Sequence, residues 1–281
     1  MGNQLFQYAF LKTLETEYGV KDIKADFSYF THGFGFFEDR LSKLDVNLTK
    51  ATPEDMKKVC LFRHDQQIYT LKYRISVFLE KTLNKKYFLE NAKTYIAPET
   101  LLKYDCLDGY WQCWQYPQAV KDILMKEFNI LYRCSDKTKQ MAEKMSAVNG
   151  VLLGVRKGDY TKEGNRYYQI NPDYYERATR FIAERVENPI FFVFSNDMKW
   201  VHDNLNLEGL NVVYREKEDQ VSDFEELQLM QVCKHAIIPN STFHWFGAFL
   251  QQNEKKIVVR PPLYFGDGTP SDIYNPGWMT I

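Results

Sequence analysis

The decapeptide VLLGVRKGDY, Val151 to Tyr160, decides how the rest of the chain is read. Its first five residues are apolar apart from Gly154, which suits a strand covered on both faces, as in a parallel sheet. Arg156, Lys157, Gly158 and Asp159 then fall at the carboxyl end of that strand, where open α/β sheets bind their ligands. An arginine there presents fixed donors suited to a phosphate, and glycine lets backbone approach a ligand closely or turn sharply. The competing reading is a surface turn with a solvated Arg and Lys, because a motif this short also arises by chance.

Downstream, strands and helices alternate. Strands are predicted at Ile190 to Phe194, Asn211 to Tyr214, Ala236 to Ile238 and Lys256 to Val259. Helices are predicted near Asp173 to Glu187, Met198 to Asn204, Phe224 to Lys234 and Thr242 to Gln251. This alternation predicts a doubly wound parallel sheet in the C-terminal half. Right-handed crossovers then bring Arg156 to Asp159, Ser195 to Asp197 and Pro239 to Thr242 to one edge. Asn240, Ser241 and Thr242 lie where a strand feeds a helix, so hydroxyls and free helix amides form an anion cradle, or else Ser241 caps that helix. Ser195 and Asp197 follow IFFVF and read either as binders of sugar or ribose hydroxyls or as another helix cap.

Upstream, Leu5, Phe6, Ala9, Phe10, Leu14 and Tyr18 recur at helical spacing, and KDIKAD at 21–26 reads as a short strand. Residues 31–55 show no sustained period. From Pro53 to about Asn84 helical patches return, with Lys and Arg interleaved among Ile75, Val77, Phe78 and Leu79. That basic amphipathic pattern suits either a membrane surface or, the default for such a charge run, a solvated face. Aromatic-rich DGYWQCWQYP follows at 108–117, and the charged helix and turn of Ser135 to Asn149 read as a linker. The expected division is an α/β unit over 1–145 and a sheet unit over 146–281.

Composition excludes several classes. Lys plus Arg is 36 against 37 Asp plus Glu, a net charge of -1, so no bulk attraction to nucleic acid exists and an anion site must be local. No apolar run is long enough for a membrane span, and the start lacks the pattern of a signal peptide. The expected home is therefore the cytoplasm, with at most peripheral contact at the inner face of the membrane. The five cysteines are odd in number, scattered and never in a CxxC, so neither a disulfide framework nor a zinc site is expected. No Walker lysine motif, GxGxxG or Asp-x-Asp pair occurs, which argues against phosphoryl transfer, dinucleotide chemistry and a nucleotide-bound metal. His235 and His244 flank the cradle without metal-ligand spacing and read as structural.

GNQLFQYAF, GYWQCWQYP, GVRKGDY, FSND, LMQVCKHAIIPNSTFHWFGAFL and NPGWMTI resemble, in order, the motifs of bacterial alpha-1,2-fucosyltransferases of glycosyltransferase family eleven. The resemblance implies two facing Rossmann-like domains in a GT-B-like arrangement, with the GDP-sugar held by 146–281 and the acceptor by 1–145. It implies inverting transfer from GDP-L-fucose to a galactose-terminated oligosaccharide or glycolipid-linked glycan, with no metal or other cofactor. Arg156 matches the arginine that holds the donor pyrophosphate, with Lys157, Ser195, Asp197, Asn240, Ser241 and Thr242 as further donor-site residues. Asp159 and Tyr160 match as they stand; an Asp beside two cations is a weak base and better suited to orienting Arg156. Asn3 and Gln4 match the cleft-side GNQ, where they would touch donor or acceptor. Three departures stand out. Gly154 replaces a histidine, Lys157 replaces an arginine, and the strand and glycine-rich turn that usually precede GNQ are replaced by Met1. The alternatives are a degenerate relative that binds nucleotide or glycan without turnover, and a transferase for another nucleotide sugar.

Overall fold

The computed structural model describes residues 1–32, 38–62, 70–91, 93–157 and 166–281. In the first half, helix α1 (Gly2–Glu17) is followed by β1 (Lys24–Ala25), α2 (Ser28–His32), β2 (Thr49–Lys50), α3 (Pro53–Val59), α4 (Leu71–Leu83), β3 (Tyr87–Leu89), β4 (Cys106–Asp108), α5 (Gln115–Ala119), α6 (Lys121–Glu127) and α7 (Asp136–Ser146). The second half runs β5 (Asn149–Val155), α8 (Pro172–Ala183), β6 (Pro189–Ser195), α9 (Met198–Asn204), β7 (Asn211–Tyr214), α10 (Asp223–Gln231), β8 (His235–Ile237), α11 (Thr242–Phe249), β9 (Val258–Arg260) and β10 (Met279–Thr280). Among the described residues, no helix is long and apolar enough to cross a membrane.

Strands β5 to β10 form one sheet in the order β10-β9-β8-β5-β6-β7, every neighbouring pair parallel. The α/β fold with a parallel, doubly wound sheet is therefore as the alternating pattern predicted. Numbered from β5, this is the 3-2-1-4-5-6 order of dinucleotide-binding sheets, whose direction of winding reverses between the first and fourth strands. Here that switch point lies between β5 and β8.

Side chains alternate across the sheet as the pleat demands. Val151, Leu153, Val155, Phe191, Val193, Ile237 and Val259 pack with α8 and α9 on one face. Leu152, Phe192, Phe194, Ala236 and Val258 belong to the core on the other face, with α1, α7, α10 and α11. Burial on both faces explains why β5 and β6 read as continuous apolar runs.

The first half contributes two small parallel pairs, β1 with β2 and β3 with β4, and α1. Helix α1 packs straight onto α11, with the Phe6 ring 4.7 Å from Trp245 and 4.8 Å from Phe246. The charged helix expected within Ser135 to Asn149 is α7, but it packs rather than merely links: its Thr138, Ala142 and Met145 are buried. Those three positions follow the i, i+4, i+7 spacing of one helix face, which its charged residues obscured. The aromatic-rich segment at 108–117 serves packing: Trp111 is buried and stacks on Phe10 at 4.0 Å, and Tyr116 meets Phe10 edge-on. Trp111 adopts a φ of 55°, costly for a bulky residue, and the Glu90 carboxylate accepts from the Tyr110 and Trp111 amides at that turn.

Candidate functional site

The crevice opens at the carboxyl ends of β5 and β8. Gly154 and Arg156 are two residues apart, so both project to the face that carries α1 and α11. Gly154 is glycine for a steric reason. A Cβ there would lie 2.4 Å from His244 Cδ2 and 3.0 Å from Pro239 Cδ. The His244 ring of α11 therefore occupies the space that a side chain at position 154 would need.

His244 is 5% exposed, and its Nε2 lies 3.3 Å from the Phe194 carbonyl oxygen. Burial above all, then the charge of Arg156, push its pKa down to about 3 against the opposing Phe194 carbonyl. The ring is therefore neutral at pH 7, with Nε2 donating and Nδ1 left as a buried acceptor that has no hydrogen bond among the described residues. Reading His244 as structural is correct in that it packs, but its packing partner is the β5 terminus that carries Arg156.

Across the crevice, β8 ends and Asn240, Ser241 and Thr242 start α11. All three are buried. Ser241 is the N-cap residue, yet its side chain makes no capping hydrogen bond, so the capping reading fails and its hydroxyl is not committed to the helix. Asn240 serves the scaffold instead, its Nδ2 donating to the Tyr168 carbonyl at 2.9 Å and to that of Tyr264 at 3.1 Å.

The start of α1 closes the crevice from above. A Cβ on Gly2 would fall 2.4 Å from Thr242 Oγ1 and 2.5 Å from the Phe243 amide nitrogen, so only glycine permits this helix-on-helix approach. Asn3 is exposed, and its Oδ1 accepts from Thr242 Oγ1 at 3.1 Å and from Gln112 Nε2 at 2.8 Å. Its Nδ2 makes no hydrogen bond among the described residues. Gln4 is spent on the chain itself, donating to the Glu38 carbonyl at 2.7 Å and accepting from the Arg40 amide at 2.8 Å.

Lys157 is not brought to the crevice with Arg156. One residue further on, it projects to the opposite face, where its Nζ donates to the Ile170 carbonyl and lies 4.2 Å from the centre of the Trp200 ring. Asn196 accepts from the Lys157 amide at 3.0 Å and donates to its carbonyl at 2.8 Å, fixing this turn. Ser195 accepts from the Asp197 amide at 3.0 Å, and Asp197 caps α9 by accepting from the Trp200 amide at 3.0 Å. The cap is the role the structure records for Asp197. Asp159 and Tyr160 lie outside the described residues.

Sequence reasoning missed a charged cluster behind Arg156. Arg40 pairs with Asp223 at 2.8 Å, and the buried Arg215 pairs with Glu226 at 3.1 Å. Burial raises the pKa of Glu226 most, with Arg215 and, more weakly, Arg156 opposing and Asp223 adding to the rise. Arg215, Asp223 and Glu226 lie within twelve residues of one another, but Arg40 is far off in sequence and none of the four belongs to a motif, so only the fold brings Arg40 to them.

Arg156 and the start of α11 thus lie at the switch point of a Rossmann-ordered sheet, the place where open α/β sheets bind their ligands. The chain belongs to glycosyl transferase family 11, whose profile matches residues 1–281. It is 28% identical over 302 aligned positions to the O-antigen biosynthesis glycosyltransferase WbnK of Escherichia coli, covering 100% of this chain and 97% of that protein. It is 28% identical to an alpha-1,2-colitosyltransferase of Escherichia coli, over 94% of this chain and 89% of that protein. A galactoside alpha-(1,2)-fucosyltransferase 2 of Bos taurus is 27% identical over 64% of this chain and 56% of its own length.

Proposed function

We propose that the protein transfers L-fucose from GDP-L-fucose, with inversion, to the 2-hydroxyl of a galactose-terminated glycan. The observation that carries this reading is the placement of Arg156 at the switch point of a family 11 sheet, beside the start of α11. As the acceptor hydroxyl attacks the anomeric carbon, the bond to the departing GDP breaks and negative charge grows on its β-phosphate. A guanidinium and the amide end of a helix are suited to that charge, and each preorganised donor of this kind contributes about 3–4 kcal/mol to the transition state. The exposed Asn3 amide supports an acceptor or donor contact at the mouth of the crevice. In this reading residues 1–145 carry the acceptor side and 146–281 the donor, and no metal takes part.

The test is transfer from GDP-L-fucose to a galactoside, run with and without excess EDTA. Product with a new alpha-1,2 linkage in both arms is expected. Binding of GDP-L-fucose with neither transfer nor hydrolysis would favour a relative that has lost turnover, and activity restored only by Mg or Mn would refute metal independence.

A second donor is favoured by one specific observation, the similarity to a colitosyltransferase over nearly the whole chain. Running GDP-colitose beside GDP-L-fucose decides between them by the ratio of kcat/KM.

A further inference from the structure

Helix α4 is turned inside out relative to an ordinary surface helix. The residues it buries are Ser76 and Glu80, whereas Leu71, Ile75 and Phe78 are 74%, 50% and 66% exposed. Those three recur at i, i+4 and i+7, so they form one apolar row along the outer face. The inward orientation is fixed by Glu80, which accepts from the Phe62 amide and, at 2.9 Å, from Asn84 Nδ2. A completely buried carboxylate with these partners cannot rotate outward without leaving its donors unsatisfied. The helix therefore presents its apolar row to solvent by construction.

Cations border that row. On a helical projection Arg74 and Lys81 flank it on one side and Lys72 on the other, and among the described residues these three make no ion pair. The one acidic residue of the helix, Glu80, faces inward. We propose that α4 docks this chain on an anionic lipid surface, lying in the plane of the interface with Leu71, Ile75 and Phe78 among the acyl chains and its cations at the headgroups. An amphipathic helix with an apolar centre and basic flanks binds in this way. A second copy of the chain fits worse, since a two-fold contact sets the same cations against each other. Nucleic acid would meet the cations but leave the apolar row wet.

The experiment is flotation of the full chain with phosphatidylcholine vesicles, with and without phosphatidylglycerol, at low and high salt. Binding is expected to the anionic vesicles and to weaken as salt screens the cations. Ile75→Ser with Phe78→Ser should abolish it at every salt concentration. Lys72→Gln with Arg74→Gln should weaken partition at least about tenfold and flatten its salt dependence. All four side chains are solvent-exposed, so both double variants should keep the parent's circular dichroism and melting temperature. Equal binding to neutral and anionic vesicles, no binding to either, or unchanged binding in the Ser variant would overturn the proposal. A dimer in sedimentation that the Ser variant dissolves would assign the face to a second copy and overturn it equally.

Discussion

At the residue scale, His244 is the reason position 154 is glycine. The two positions act as one unit, because the ring fills the space a β-carbon would need. Gly154→Ala should therefore destabilise by about 1–3 kcal/mol, the usual cost of overpacking a tight site. Urea denaturation should recover most of that loss when His244→Ala is added, whereas additive losses would show that the ring is not the obstacle. His244 also makes stability pH-dependent. Its folded pKa is about 3 against an ordinary 6.5, so the unfolded chain binds the extra proton between those values. Stability from this group is fully present above pH 6.5 and is lost as pH falls toward 3, by up to about 1.4 kcal/mol per pH unit. His244→Gln removes the titration, and its stability should depend less steeply on pH over that window; parallel curves would contradict the assignment. Arg156→Lys keeps the charge but loses the planar fork, and kcat for transfer should fall about 100-fold.

Among the elements, α11 is central, buried all round and wedged between α1 and the sheet. Its carboxyl end is closed by a half-buried lysine. Lys256 Nζ donates to the carbonyls of Ala248 at 2.7 Å, Phe249 at 2.8 Å and Gln251 at 3.0 Å, satisfying groups that a helix end leaves open. Lys256→Met keeps the bulk and removes three donors, so thermal melts should show a loss of about 1–3 kcal/mol; an unchanged midpoint would mean water replaces the lysine freely. At this scale the sequence was most informative about β5 to β9 and the helices between them, because burial on both faces leaves unbroken apolar runs. Strand β10, two residues beside the turn at 275–277, has no periodicity to detect. The short pairs β1 with β2 and β3 with β4 escaped notice, apart from a hint of β1 in KDIKAD, for the same reason. Arg156 and the α11 start were legible because topology alone puts strand ends together. The Arg40, Asp223, Arg215 and Glu226 cluster was not, since Arg40 meets Asp223 only when the segment after α1 reaches α10.

Viewed as a whole molecule, the core does not stop at the expected boundary near residue 145. One apolar cluster runs from Leu5, Phe6 and Ala9 through Trp245 and Phe246 to Leu152 and Phe192 of the sheet. Gly2 makes that continuity possible by letting α1 touch α11, and the Gln112–Asn3–Thr242 hydrogen bonds tie the same junction at the crevice mouth. Unfolding should then be cooperative, with tryptophan fluorescence and far-ultraviolet circular dichroism reporting one midpoint. Phe6 provides the sharper test, being fully buried between Trp245 and Phe246. Phe6→Ala should cost about 3–5 kcal/mol, most of it from the cavity left at the junction. At about 2–4 °C per kcal/mol for a chain approaching this size, the single transition should move down by roughly 10 °C without splitting. If the first half instead stands as an independent unit, the same substitution lowers one of two separate transitions and leaves the sheet's midpoint where it was. Because α1 also forms one wall of the crevice, cooperative coupling predicts that GDP raises the midpoint of Phe6→Ala and of the parent chain alike, and that UDP raises neither.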